Sequence, residues 1–396
     1  MRLALLAALL LSAAAGQTPD FSARGPWADT FRVEDIPGTT ELLAGSRIWF
    51  PDSATSFPGG ATPAPIVVFG HGWQMGIDRY YSYARHLASW GYVVVLPTIS
   101  NPIINPEHDV RARLMVDAAR FTAALDTIVG DRFEGKLDRW NWGFAGHSMG
   151  GGLALLAADT FGLADTLRAA VAIHSPQTTP PTHGPHLLLP KLILAGGVDN
   201  IAPWRDVRAA YWEGAPPPGA FAVIAGANHG YVMDFSWFWE NGGTATITRA
   251  EQQRITRRHL TAFLERHLHG DQSEWNWAWT YGDSIQQTVT LDSVELRPEL
   301  VAVESPGPAL GARFAATPNP VRGRVVISYA LARPGRVTIE LHDATGRLAR
   351  TVINRDEPAG ARALTWSPDT ALADGAYFLR LLGPDLATTR RITIAR

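Results

Sequence analysis

The chain has no cysteine among its 396 residues. That absence excludes disulfides, a thiol nucleophile, cysteine metal ligands and a lipid-modified cysteine anchor. Charge is also sparse: 18% of residues are charged and the formal net charge is −2, so neither a nucleic-acid partner nor a polybasic membrane contact is expected. Long apolar runs are lacking too. Leu3 to Leu11 is too short to span a bilayer, and no later stretch is long and apolar enough to do so. That first run follows Met1-Arg2 and precedes the small residues Ser12 to Gly16, the pattern of a secretory signal peptide over residues 1–16 with a mature start near Gln17. The expectation of export rests on this leader alone, because missing disulfides neither support nor oppose it.

What is present points to two domains, since 396 residues exceed one average domain and 46% of them are hydrophobic. The 14 tryptophans are read mainly as packing residues, some of which line an apolar or sugar-binding surface in a second reading. From Phe31 to Leu268, short apolar runs alternate with amphipathic helical spacing. This predicts an α/β fold, a doubly wound and mainly parallel sheet with helices on both faces. Strands are expected at residues 65–69, 92–96, 140–145, 169–174, 191–195 and 220–225, with one more at 288–296. Helices are expected at 80–90, from Asn105-Pro106 to Val129, and at 249–268. A Pro-, Gly- and Ala-rich linker over 301–318 divides this domain, 17–300, from residues 319–396. There, six short alternating runs predict a small all-β, Ig-like sandwich with no chemistry of its own.

Gly146-His147-Ser148-Met149-Gly150-Gly151-Gly152 stands between the strand at 140–145 and an Ala/Leu-rich helix. Glycines two residues either side of a serine allow a sharp strand-to-helix turn, which makes Ser148 a candidate nucleophile. A hydroxyl needs a base, and the base needs an acid to orient it. Asp199 follows the strand at 191–195 and His229 follows the next strand, so acid and base appear on successive strand ends in the order an α/β-hydrolase requires. Each also has a plainer reading: Asp199 as the cap of a helix starting near Pro203, and His229 as a surface loop residue. His259, His267 and His269 lie on or just past the amphipathic helix, and His183 and His186 precede the acid-bearing strand. His267 and His269 are two residues apart on a helix and face different ways, so no metal site is expected. Oxyanion donors are expected from the backbone N–H of Met149 and of Trp73, in Gly70-His71-Gly72-Trp73 after the strand at 65–69. His71 is read as a structural residue bonded within that loop.

Residues 65–230 resemble the secreted cutinase-like polyesterases and related lipases of the α/β-hydrolase fold. The likeness rests on Gly70-His71-Gly72-Trp73, Arg85 to Trp90, Gly91-Tyr92-Val93-Val94-Val95, residues 146–151, and Asp199-Asn200-Ile201-Ala202-Pro203. It implies an ester hydrolase without cofactor, with Ser148, Asp199 and His229 in the catalytic places, Trp73 and Met149 in the oxyanion places, and His147 and His174 at the substrate. The chain departs from the family at His174-Ser175-Pro176-Gln177, where the polyesterases carry a tryptophan clamp, and in lacking their C-terminal disulfide. The segment from Tyr231 to Asn241, with Trp237 and Trp239, is expected to supply part of the pocket wall instead. Residues 317–396 resemble the type IX secretion sorting domains and related flagellar-hook-cap Ig-like modules, through Pro318-Asn319-Pro320, Val337 to Asp343 and Gly375-Ala376-Tyr377-Phe378. This implies the type IX secretion machinery as a partner and a secreted or cell-surface protein. The alternative is an accessory sandwich that binds a surface or polymer. For the whole chain, a serine peptidase of the same fold and a catalytically idle, surface-displayed binding protein remain as alternatives to a polyester or small-ester hydrolase.

Overall fold

Six apolar runs become the parallel centre of one nine-stranded sheet in the computed structural model. It describes residues 20–52, 63–100, 107–298, 314–331, 333–343, 347–358, 360–384 and 386–395. The leader at 1–16, the cap at Asn105-Pro106 and most of the linker at 301–318 lie outside the described residues. The chain divides into two units, residues 1–300 and 301–396.

In the first unit the strands are β1 (Asp29–Pro37), β2 (Leu42–Pro51), β3 (Ala64–Gly70), β4 (Val93–Leu96), β5 (Leu137–His147), β6 (Leu167–Ile173), β7 (Lys191–Gly196), β8 (Gly219–Ile224) and β9 (Leu291–Arg297). Their order across the sheet is β1-β2-β4-β3-β5-β6-β7-β8-β9, parallel from β4 to β8 and antiparallel at both edges. The hairpin β1–β2 was not expected. β1 consists almost wholly of half-buried and exposed positions and carries Arg32, Glu34 and Asp35, so it lacks the apolar run that marks the central strands. The strand expected at 288–296 is β9, at the opposite edge.

The α-helices are α1 (Tyr81–Ser89), α2 (His108–Leu125), α3 (Met149–Thr160), α4 (Trp204–Val207), α5 (Arg249–Leu264), α6 (Glu274–Thr280) and α7 (Asp283–Gln286). The period of 2 along β3 explains why both faces need cover. Ile66 and Val68 pack with Leu114, Met115 and Leu153 of α2 and α3. Val67 and Phe69 pack with Tyr83 and Leu87 of α1 and Leu260 and Phe263 of α5. The helix expected over 249–268 keeps α-helical bonding only to Leu264. It continues as a wider π turn from Glu265 to His269, stopped by Gly270 at φ 71°.

In the second unit, β10 (Ala315–Thr317), β11 (Val325–Leu331), β12 (Gly335–Asp343), β13 (Leu348–Glu357), β14 (Gly360–Trp366), β15 (Gly375–Gly383) and β16 (Leu386–Ile394) form two antiparallel sheets, β10-β11-β14 and β13-β12-β15-β16. Alternate residues from both, Val325, Ile327 and Tyr329 with Val337, Ile339, Leu341, Leu379 and Leu381, make one buried cluster.

Candidate active site

The carboxyl ends of β3, β5, β6, β7 and β8 carry the chemically interesting residues of the first unit. Ser148 connects β5 to α3 with φ 54° and ψ −123°, a conformation that L-residues rarely adopt. Its N–H donates to the Ile173 carbonyl at 2.9 Å, and its own carbonyl accepts from Gly152 at 3.2 Å. A Cβ on Gly146 would lie 2.4 Å from the carbonyl carbon of Gly150, and one on Gly150 would lie 2.1 Å from the Gly70 carbonyl oxygen, so neither position has room for a side chain. Met149 is the first residue of α3, and its N–H therefore has no acceptor within the helix. Trp73 sits exposed in the turn that Met75 N–H closes onto the Gly72 carbonyl at 3.1 Å. Gly72 N–H is already committed to the Tyr80 hydroxyl at 3.0 Å. His71 is buried, with Nδ1 on the Gly72 carbonyl at 2.9 Å and Nε2 accepting from Ile99 N–H at 3.2 Å.

Asp199 is buried in the loop after β7, and both its oxygens are occupied. Oδ1 accepts the N–H groups of Ile201 and Ala202, each at 2.9 Å. Oδ2 accepts from His229 Nδ1 at 2.8 Å and from His174 Nδ1 at 3.1 Å. Burial pushes this carboxyl up, but the two histidine hydrogen bonds outweigh it and hold the group well below the usual carboxylate range. Asp199 thus closes its own turn, while Pro203 is the capping position of α4.

His229 follows β8 in a loop gripped by Gln252 of α5, which accepts from Asn228 N–H at 3.1 Å and donates to the Asn228 carbonyl at 2.7 Å. With Nδ1 on Asp199, Nε2 is the nitrogen left for base chemistry. The ring lies 4.6 Å, centroid to centroid, from that of His147, the residue before Ser148.

The sequence reading places His147 and His174 at the substrate. Both are buried, His174 completely. The Tyr80 hydroxyl, which accepts from Gly72 N–H, is also hydrogen-bonded to His147 Nδ1 at 2.9 Å. His174, at φ 50°, turns its ring back onto Asp199. These hydrogen bonds draw the rings beneath the surface. Burial lowers the basicity of both; the bond to Asp199 partly offsets this for His174, and the neighbouring His229 and His174 lower His147 further. Tyr80 and Gln252 carry no motif, and only their long-range contacts reveal their place in the site.

Among the described residues, His174, Asp199 and His229 form a group compact enough for a metal ion, their donor atoms lying within 4.8 Å of one another. Those atoms are spent on each other, both Nδ1 atoms facing the same carboxylate oxygen, so the group is a closed hydrogen-bonded cluster and not an open ligand set. His267 and His269 have separate partners, the Tyr281 hydroxyl at 3.1 Å and Glu265 at 2.9 Å.

An exposed aromatic segment follows directly. Phe235, Trp237, Phe238 and Trp239 are all exposed, and Trp237 stacks on Trp239 at 5.5 Å and 8°. Gly230 N–H donates to the Asn241 carbonyl at 3.1 Å, and Gly242, at φ 57°, approaches so closely that a Cβ there would stand 2.8 Å from His229 Cβ. An Arg79–Glu240 ion pair at 2.5 Å holds the segment against Ile77–Tyr80, the short turn before α1.

A bis(hydroxyethyl) terephthalate hydrolase of Streptomyces coelicolor is 30% identical over 196 residues, 49% of this chain and 56% of that protein. The chain therefore spans little more than half the length of this relative. The PET hydrolase-like family matches residues 21–236, a stretch that contains Ser148, Asp199 and His229. On that match, which covers more than half of its residues, the chain belongs to the PET hydrolase-like family.

Proposed function

We propose that this protein is a secreted serine hydrolase of carboxylic esters that works through an acyl-enzyme. The observation that carries the reading is the hydrogen-bonded pair Asp199–His229, packed beside the strained Ser148 turn at the carboxyl edge of the sheet. His229 Nε2 takes the Ser148 proton as Oγ attacks the ester carbonyl, and Asp199 holds the imidazolium that forms. The N–H groups of Met149 and Trp73 receive the oxyanion. His229 then returns the proton to the leaving alkoxide, and water releases the acid by the same route. The residues in hand complete this chemistry without a cofactor.

The exposed rings of Phe235, Trp237, Phe238 and Trp239, tethered to the His229 loop, support an aromatic or polymeric ester as substrate. The likeness to a terephthalate ester hydrolase supports the same class. For the second unit the reading is a type IX sorting domain that takes the chain to the cell surface or medium after the leader is removed. Its separate core supports an independent module.

The test is a substrate panel on the full mature chain: bis(hydroxyethyl) terephthalate, p-nitrophenyl butyrate and a peptide p-nitroanilide, each beside Ser148→Ala. Hydrolysis of the two esters, loss of both in the variant and an untouched peptide are expected. Cleavage of the peptide alone would replace the ester reading.

A further inference from the structure

The acid of the site serves two histidines. Asp199 Oδ2 receives Nδ1–H from His229 at 2.8 Å and from His174 at 3.1 Å, the rings meeting at 61° with centroids 6.4 Å apart. His174 is built into this place. It follows β6 at φ 50°, its N–H donates to the Leu194 carbonyl at 2.7 Å, and a Cβ on Gly196 would stand 2.5 Å from its ring, so the glycine makes the room. Its Nε2 is buried without a hydrogen-bond partner among the described residues, a cost that folding accepts for the bond at Nδ1.

We propose that His174 is a positioning residue that tunes the base: its Nδ1–H fixes the Asp199 carboxylate and draws off part of the negative charge that His229 would otherwise face alone. A carboxylate oxygen already bonded to a second donor is a weaker partner for an imidazolium. Burial disfavours the charged form of His174, and its Nδ1–H meets the carboxylate as a hydrogen-bond donor. Among the described residues, the other groups facing this cluster are His147 at the end of β5, with Tyr80 behind it, Arg249 of α5 on the carbonyls of Gly230 and Met233, and Asp292 of β9 behind Gly197.

This inference rests on the serine-hydrolase reading, and Ser148→Ala tests that reading separately by abolishing turnover. The test of His174 is the pH profile of kcat/KM on a soluble ester, comparing full-length wild type, His174→Phe and His174→Asn. Removing the N–H with a ring of similar shape should move the acid limb upward by about half a pH unit or more, a rate about threefold lower at a fixed pH on that limb. Asparagine offers an N–H near the Nδ1 position and should bring the limb back toward wild type. Should His174→Phe not fold, proton NMR of the 15N-histidine-labelled wild type beside labelled His174→Asn decides: a strongly deshielded Nδ1–H resonance that is present in wild type and missing from His174→Asn supports the arrangement, and identical deshielded resonances in both contradict it. An unmoved limb in an active His174→Phe enzyme, while Ser148→Ala stays inert, overturns the tuning role alone.

Discussion

Gly150 and Gly70 meet backbone to backbone: a Cβ built on Gly150 would stand 2.1 Å from the Gly70 carbonyl oxygen. The contact presses the first turn of α3 onto the end of β3, setting the serine turn beside the loop that carries Trp73. Neither partner can yield as a flexible side chain would, because both are main chain. Gly150→Ala is therefore expected to cost more than about 3 kcal/mol or to prevent folding. Gly135, at φ 66° with nothing within 4 Å of its Cβ position, offers the contrast: Gly135→Ala should cost only about 1 kcal/mol. Urea denaturation of the full chain compares them, and equal losses would contradict the steric account.

Much of this arrangement was legible in the sequence, and the limits are physical. β7 and β8 are short apolar runs buried on both faces, so their ends, and hence the loops of Asp199 and His229, follow from composition. β1 was missed because an edge strand bears polar residues at most positions. The bond between His174 and Asp199 joins residues 25 apart and depends on one positive φ, which no local pattern encodes. The burial of His147 has the same origin: its partner Tyr80 is 67 residues away.

Buried neutral histidines should make the fold acid-sensitive. Burial, with Arg257 nearby, lowers His86 to about 3, and burial, with Arg258 beside it, lowers His259 to about 3. The unfolded chain takes up these protons as pH falls through about 6.5, while the folded chain refuses them until about 3. Their stabilisation is therefore complete above pH 6.5 and is lost as pH falls toward 3, on the order of 1 kcal/mol per pH unit for each group. Melting temperatures measured from pH 7 to 4.5 should decline less steeply in His259→Phe than in wild type; parallel slopes would remove His259 from the explanation.

Lys191 illustrates a buried charge held by main chain. Its ammonium donates to the carbonyls of Leu187 at 2.7 Å and Leu189 at 3.1 Å, and also to that of Pro216. This joins the segments entering β7 and β8 at the sheet end opposite the loops of Asp199 and His229. Lys191→Met fills similar space but leaves three carbonyls without their donor, for an expected loss of about 2–4 kcal/mol. Thermal unfolding reads the loss. The ester KM measured well below the melting temperature should stay within about twofold of wild type, and a large KM change at full stability would contradict this assignment.

The central claim is that Ser148 is the nucleophile that Asp199 and His229 activate. Incubating the full chain with a fluorophosphonate and mapping the adduct by peptide mass spectrometry tests it most directly. The account predicts one adduct, on the peptide containing Ser148, absent in Ser148→Ala and formed at least about a hundredfold more slowly in His229→Ala. Labelling of Ser148→Ala at the wild-type rate, or an adduct on another residue, would contradict it.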